Sequence, residues 1–101
     1  MIRELCGLPT GGTVNQSLAE ATIGPGQATE RHYHAEAEEI YFVLDGEGEM
    51  ELDGAIARLR SGDAVPIPPG AWHQIRNTGS EPLRFLCCCA PPYRHEDTFF
   101  E

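Results

Sequence analysis

Three of the four histidines in this 101-residue chain stand in two short clusters with carboxylates close by. The first holds His32 and His34, followed by Glu38 and Glu39; the second holds His73. Imidazole nitrogens and a carboxylate oxygen are the donors that a divalent transition metal takes. On a β-strand, residues two apart face the same side, so His32 and His34 can converge on one point. The apolar run Ile40 to Leu44 follows the glutamates and ends at Asp45-Gly46. Parity on that strand groups Glu39 with Tyr41 and Val43, and Glu38 with Ile40, Phe42 and Leu44. Parity alone does not choose between the two glutamates. His73 begins a strand just after the turn Pro68-Pro69-Gly70. Ligands at strand ends near turns would assemble in the mouth of a barrel, where a substrate can enter.

Other chemistries find little support. The chain has no lysine, which excludes Schiff-base catalysis, and its serines stand without a partner base. There is no P-loop and no dinucleotide fingerprint. The cysteines are Cys6 and the run Cys87-Cys88-Cys89. Neighbours on a strand point to opposite faces, so the run is no ordinary disulfide framework, and no C-x-x-C spacing suggests a zinc ribbon. The run reads as small buried hydrophobes in a reducing compartment. A sharper alternative places one of the three beside the metal.

The elements that must position these residues are short strands. Turn signals recur at Gly24-Pro25-Gly26, Asp45-Gly46, Asp53-Gly54, Gly62-Asp63, Pro68-Pro69-Gly70 and Asn77-Thr78-Gly79. That rhythm predicts an all-β sandwich or barrel, and the eleven glycines and eight prolines disfavour long helices. Eight strands are expected: 17–23, 28–34, 39–44, 48–52, 55–59, 64–67, 72–77 and 83–90. Asp53-Gly54 is a strong two-residue hairpin signal. Residues 1–13 read as an N-terminal arm, 14–90 as the barrel and 91–101 as a C-terminal tail, all in one domain.

The net charge is −9, from 16 acidic and 7 basic residues. It repels phosphate backbones and anionic lipid, so neither nucleic acid nor membrane is expected as a partner. No apolar run is long enough for a membrane span, and the first residues lack a signal-peptide core, so a cytoplasmic location is expected. A domain this small buries a modest share of its surface, so dimerisation and metal binding would both add stability.

The two clusters resemble the paired signature motifs of the cupin superfamily. The first reads Gly26-x5-His32-x-His34-x4-Glu39-x6-Gly46, the second Gly62-x5-Pro68-x-Gly70-x2-His73-x3-Asn77. The resemblance covers residues 26–77, and no signature position departs from it. The family's six-residue spacing before the glycine selects Glu39 over Glu38. The resemblance implies a double-stranded β-helix, or jelly-roll barrel, that is usually a homodimer. It implies one divalent metal (Fe, Mn, Ni, Cu, Co or Zn) on His32, His34, Glu39 and His73, with Gly26, Gly46, Gly62, Pro68, Gly70 and Asn77 as structural turn positions.

Function follows as two expectations. The first is a small metalloenzyme of dioxygenase, isomerase or decarboxylase type that acts on an oxygen-rich small molecule. The alternative is a metal-dependent sensor or binding module without turnover. A phosphorylated substrate is poorly served, because only Arg31, Arg76 and Arg84 lie near the motifs and the first two have the parity opposite to the ligands. Tyr41 is expected to line the pocket, Ile75 to lie inside and Trp72 to face away from His73. His95 reads as a surface or dimer-contact residue, and Phe99 and Phe100 as anchors for the tail.

Overall fold

In the computed structural model, which describes residues 1–101, ten strands form two antiparallel sheets. The strands are β1 (Ile2–Cys6), β2 (Ser17–Ile23), β3 (His32–His34), β4 (Glu38–Asp45), β5 (Glu47–Leu52), β6 (Ala55–Arg60), β7 (Ala64–Ile67), β8 (His73–Asn77), β9 (Leu83–Ala90) and β10 (Thr98–Phe100). One sheet has the order β1-β2-β9-β4-β7 and the other β10-β3-β8-β5-β6. The helical content is one 3₁₀ turn at His95–Asp97, and no helix is long and apolar enough to cross a membrane. The expected jelly-roll barrel is therefore what forms.

Turn chemistry sets the register. Asp53 and Gly54 both have positive φ, at 48° and 89°, as a tight two-residue hairpin requires, and they place Leu52 opposite Ala55. The tip of that hairpin also reaches across the barrel end. Asp53 donates its N–H to the Trp72 carbonyl at 2.8 Å and accepts the Trp72 N–H on Oδ1 at 2.9 Å. The chain is thereby fixed one residue before His73. Gly46 has φ +89°, and a Cβ there would lie 2.6 Å from the Pro82 carbonyl oxygen, so this position admits no side chain.

Alternation on β4 decides what faces inward. Glu39, Tyr41 and Val43 are buried while Glu38, Ile40 and Phe42 are exposed. The inward residues run from the site into the apolar core, where Val43, Met50, Ile75, Leu83 and Phe85 have almost no exposed surface. Asn77 closes the core end. Its amide donates to the carbonyls of Ile23 and Glu81, and its Oδ1 accepts the Gly79 N–H, all within 2.9 Å.

Both termini differ from expectation. The presumed arm contains β1, which pairs with β2 from Ile2 opposite Ala21 to Cys6 opposite Leu18. The presumed tail contains β10, which pairs with β3 so that Thr98 lies opposite His34 and Phe100 opposite His32. The expected strand 28–34 shortens to His32–His34. Its first part still runs beside β8, but Thr29 takes over ladder bonds there, accepting the Ile75 N–H on its hydroxyl. The strand expected at 72–77 begins at His73, and the hairpin strands extend to Glu47 and Arg60.

Candidate metal centre

Each of the four candidate ligands comes from a strand whose partner fixes its height. His32 on β3 lies directly opposite His73 on β8. The Gly70 N–H of the Pro68-Pro69-Gly70 turn donates to the His34 carbonyl at 2.7 Å, which ties the approach to His73 onto β3. Glu39 arrives from the facing sheet, paired with Ile67 on one side and Cys89 on the other. One donor atom from each of His32, His34, Glu39 and His73 lies within 4.8 Å of the others. His34, Glu39 and His73 are buried, and His32 is the half-buried member. The exposed Glu38 is not part of the cluster, which agrees with the motif spacing on the choice that parity left open.

The imidazoles are held by their outer nitrogens. His32 Nδ1 lies 2.8 Å from the Glu30 carbonyl oxygen and His73 Nδ1 3.0 Å from that of Ala71. His34 Nδ1 lies 3.3 Å from the Asp97 carbonyl oxygen and 3.2 Å from the Thr98 hydroxyl, whose own hydrogen goes to the Arg94 carbonyl. Carbonyls only accept, so each Nδ1 carries its hydrogen and each Nε2 presents a lone pair inward. His34 Nε2 and His73 Nε2 stand 3.3 and 3.4 Å from Glu39 Oε1. His73 Nε2 and Glu39 Oε1 are buried without a hydrogen-bond partner.

Acceptors that face one another at this distance need a positive charge between them. The spacing also matches neighbouring donors around an ion, since bonds of about 2.1 Å put adjacent ligands roughly 3.0–3.4 Å apart. The residues therefore fit a metal ion. The electrostatics agree. Burial alone would raise the Glu39 pKa, but the His34 and His73 rings outweigh it and hold the carboxyl down at about 2. Burial likewise pulls His34 down, and the Glu39 carboxylate followed by the Asp97 carbonyl outweighs it, leaving His34 above the ordinary imidazole value. His32 is lowered, chiefly by burial and against the pull of the Glu30 carbonyl.

The cluster opens into a cavity of about 620 Å³, lined in part by Tyr41, Phe85, Cys87, Cys89, Tyr93 and Phe100. Tyr41 is buried in that lining with its ring 5.7 Å from His73, and burial followed by the Glu39 charge raises its phenol well above the ordinary value. Ile75 is fully buried, as expected. Trp72 faces outward, edge-on to Tyr33 at 4.6 Å with the Arg31 guanidinium 5.0 Å from its ring centroid. Arg31 turns away from the site and pairs with Glu51 at 2.7 Å and Glu101 at 3.2 Å. Arg76 is exposed, and Arg84 lies between Glu20 and Asp45. His95 is exposed.

The sequence did not reveal the contribution of the last eleven residues. Tyr93, Thr98 and Phe100 line the cavity, and Asp97 and Thr98 hold His34. Phe99 stacks on Tyr33 at 5.1 Å and Phe100 approaches His32 at 5.9 Å, so both aromatics do anchor the segment. Of the cysteines, Cys87 and Cys89 face the cavity, and Cys89 Sγ donates to Glu39 Oε2 at 3.2 Å. For Cys89 the packing reading thus gives way to its alternative, a thiol beside the candidate metal site. Alternation along β9 could have paired Cys87 with Cys89, but not placed them beside Glu39.

Comparison with known proteins bears on the same residues. An uncharacterised protein of Methanocaldococcus jannaschii is 47% identical over 98 residues, which cover 97% of this chain and 78% of that one. The polyketide synthase protein CurC of Streptomyces cyaneus is 32% identical over 90 residues, covering 89% of this chain and 58% of CurC. This chain thus spans less than two thirds of that relative's length. The crystal structure of a Klebsiella pneumoniae protein with a double-stranded β-helix domain superposes with a TM-score of 0.85 at 24% identity, covering 99% of this chain and 82% of that one, and supports the fold. Other curated relatives are named as an oxalate-binding protein and a glucose-6-phosphate isomerase, so relatedness alone selects no reaction. The family model for the cupin domain matches residues 19–89, across both histidine clusters, and the chain belongs to that family.

Proposed function

We propose that this protein is a small metalloenzyme that holds one divalent transition ion on His32, His34, Glu39 and His73 and acts on an oxygen-bearing small molecule in the adjoining cavity. One observation carries the reading: three Nε2 lone pairs and a buried carboxylate oxygen face a common point, and every Nδ1 is tied back by a backbone carbonyl. A bound ion of this kind supplies Lewis acidity toward substrate oxygens, or activation of dioxygen in the case of iron or copper.

The chain's own groups define the rest. Glu39 is committed to the histidines and is held ionised. Tyr41 stays protonated, so it donates a hydrogen bond to a bound oxygen and does not act as a base. Cys87 and Cys89 are pushed up, first by burial and then by the Glu39 charge, and remain thiols rather than nucleophiles. Phe85, Tyr93 and Phe100 give the cavity apolar walls. The carboxylate–histidine pairs that face the cavity, Glu39 with His34 and His73, belong to the cluster itself, so the ion-assisted reading is stronger than one based on side-chain catalysis alone.

The test is metal analysis of protein purified without added metal, followed by dioxygen-uptake and turnover assays on oxygen-rich substrates. One ion per chain is expected, and His73→Ala should lower metal affinity by about tenfold or more. Occupancy should fall between about pH 8 and pH 5, since each imidazole must give up a proton to ligate. Unchanged occupancy at the acid end, or a His73→Ala variant that keeps both metal and activity, would overturn the proposal. Metal binding without turnover of any substrate would identify a binding or sensor protein instead.

A further inference from the structure

The residues around the metal centre also specify what can enter. We infer that the cavity selects an aromatic oxygen donor of the phenol, catechol or enol class, bearing at most one negative charge, and rejects phosphate esters and dicarboxylates. The inference rests on the metal reading above and narrows it to a substrate class.

Charge is the first argument. No arginine lines the cavity, and the chain has no lysine. The arginines that the strands bring nearest are engaged elsewhere: Arg31 by Glu51 and Glu101, Arg94 by Glu36 at 2.9 Å, and Arg84 by Glu20 and Asp45. Three carboxylates do face the cavity, namely Glu39 at the cluster and Glu4 and Glu30 farther out. An anion moved from water into this space would have only the metal as a counter-charge. A divalent ion and one carboxylate sum to about +1, which balances one ionised oxygen. A phenolate or enolate meets that limit. A phosphate monoester, with roughly two negative charges at neutral pH, or oxalate, with as many, leaves an unpaired negative charge beside Glu39.

Shape and surface are the second argument. About 620 Å³ falls within the roughly 300–1,000 Å³ of ordinary small-molecule pockets. The walls carry the rings of Tyr41, Phe85, Tyr93 and Phe100 together with aliphatic Ile2 and Pro9. Aromatic rings stack edge-on or offset on such walls, whereas a sugar's hydroxyls would find few hydrogen-bond partners there. The hydroxyls that also line it are already engaged: Ser17 accepts the Tyr93 N–H, Thr29 accepts the Ile75 N–H, and Thr98 donates to the Arg94 carbonyl. The lining thus offers one oxygen-binding corner and an apolar bay beside it.

The test uses cobalt(II) as a spectroscopic probe. Cobalt stoichiometry is measured first, and the loaded protein is then titrated with catechol, oxalate and glucose 6-phosphate, followed by the cobalt absorption bands and by calorimetry. Catechol is expected to bind at least about tenfold more tightly than either dianion. Phe100→Ala should weaken catechol without strengthening oxalate. Ala19→Arg, which places a cation on a half-buried cavity position of β2, should reverse the preference. Equal or tighter binding of the dianions by the unmodified cobalt protein overturns the inference, even if the arginine variant fails to fold. Failure of cobalt to bind overturns the metal reading instead. Calorimetry on the metal-free protein then still decides the cavity: catechol above the dianions supports the selection, and the reverse order overturns it.

Discussion

The contact between Cys89 and Glu39 shows how much a single residue can matter at this site. Glu39 must present Oε1 to the histidines, and its other oxygen needs a partner to stop the carboxylate from rotating. Cys89 Sγ supplies that partner at 3.2 Å, from the strand directly hydrogen-bonded to β4. The thiol is held protonated by burial and then by the Glu39 charge, so it is a donor rather than a competing ligand. Groups that orient a metal ligand are worth about 10–100-fold in affinity. Cys89→Ala should therefore weaken metal binding by about tenfold in a chelator-competition assay, and Cys89→Ser should recover part of the loss. Equal affinities for all three proteins would leave Cys89 as a packing residue. Sequence could not settle this position, because parity pairs Cys87 with Cys89 but does not say which strand lies beside β9. Glu39 was legible for a different reason. Its spacing to Gly46 is a local property of the chain, and the positive φ and close approach to Pro82 at Gly46 show why the turn tolerates little change.

Among the elements, the C-terminal segment is the least visible in sequence and among the most consequential in structure. Asp97 is buried, and its carboxylate accepts the backbone N–H groups of Ala35, Glu36 and Ala37 at 3.0, 2.9 and 3.0 Å. Those residues form the connection between β3 and β4, and so set the distance between His34 and Glu39. Its own carbonyl meanwhile faces His34 Nδ1. Three-residue strands carry no detectable alternation, and these partners lie about sixty positions apart in sequence, so residues 91–101 read as a tail. The Asp53-Gly54 hairpin was readable because both of its strands are local. Removing a buried acceptor of three amides costs about 2–4 kcal/mol. Asp97→Ala should lower stability by that amount in chemical denaturation and also weaken metal binding, while Asp97→Asn, which keeps one acceptor oxygen, should fall between. A variant with lowered stability but unchanged metal affinity would show that the segment braces the barrel without tuning the site.

For the whole molecule, the outer face of the β1-β2-β9-β4-β7 sheet has a pattern that the interior does not explain. Ile40 and Phe42 point away from the core and are 48% and 39% exposed. Register places Cys88 beside Ile40, Leu86 beside Phe42 and Leu18 beside Cys88, so the outward apolar residues form one continuous patch across three strands. Charges of both signs border it: Arg3 with Glu20 at 3.3 Å, and Arg84 at 3.6 Å from both Glu20 and Asp45, with the buried Arg84 Nε left without a hydrogen bond. An apolar centre with a mixed-charge rim is the composition of a protein interface. Because both signs occur on the same face, a two-fold copy of that face can meet it with opposite charges aligned, which an acidic partner or an anionic surface could not do. We therefore predict that two copies of this chain pair through this sheet, leaving the cavity on the inner side of each barrel free. Light scattering should give twice the 11.1 kDa chain mass, and the double change Ile40→Glu with Phe42→Glu should return the mass to that of one chain. Both substitutions lie on the outward parity of β4, so metal binding should persist in the monomer. A monomeric parent protein, or a dimer indifferent to the two glutamates, would refute the pairing.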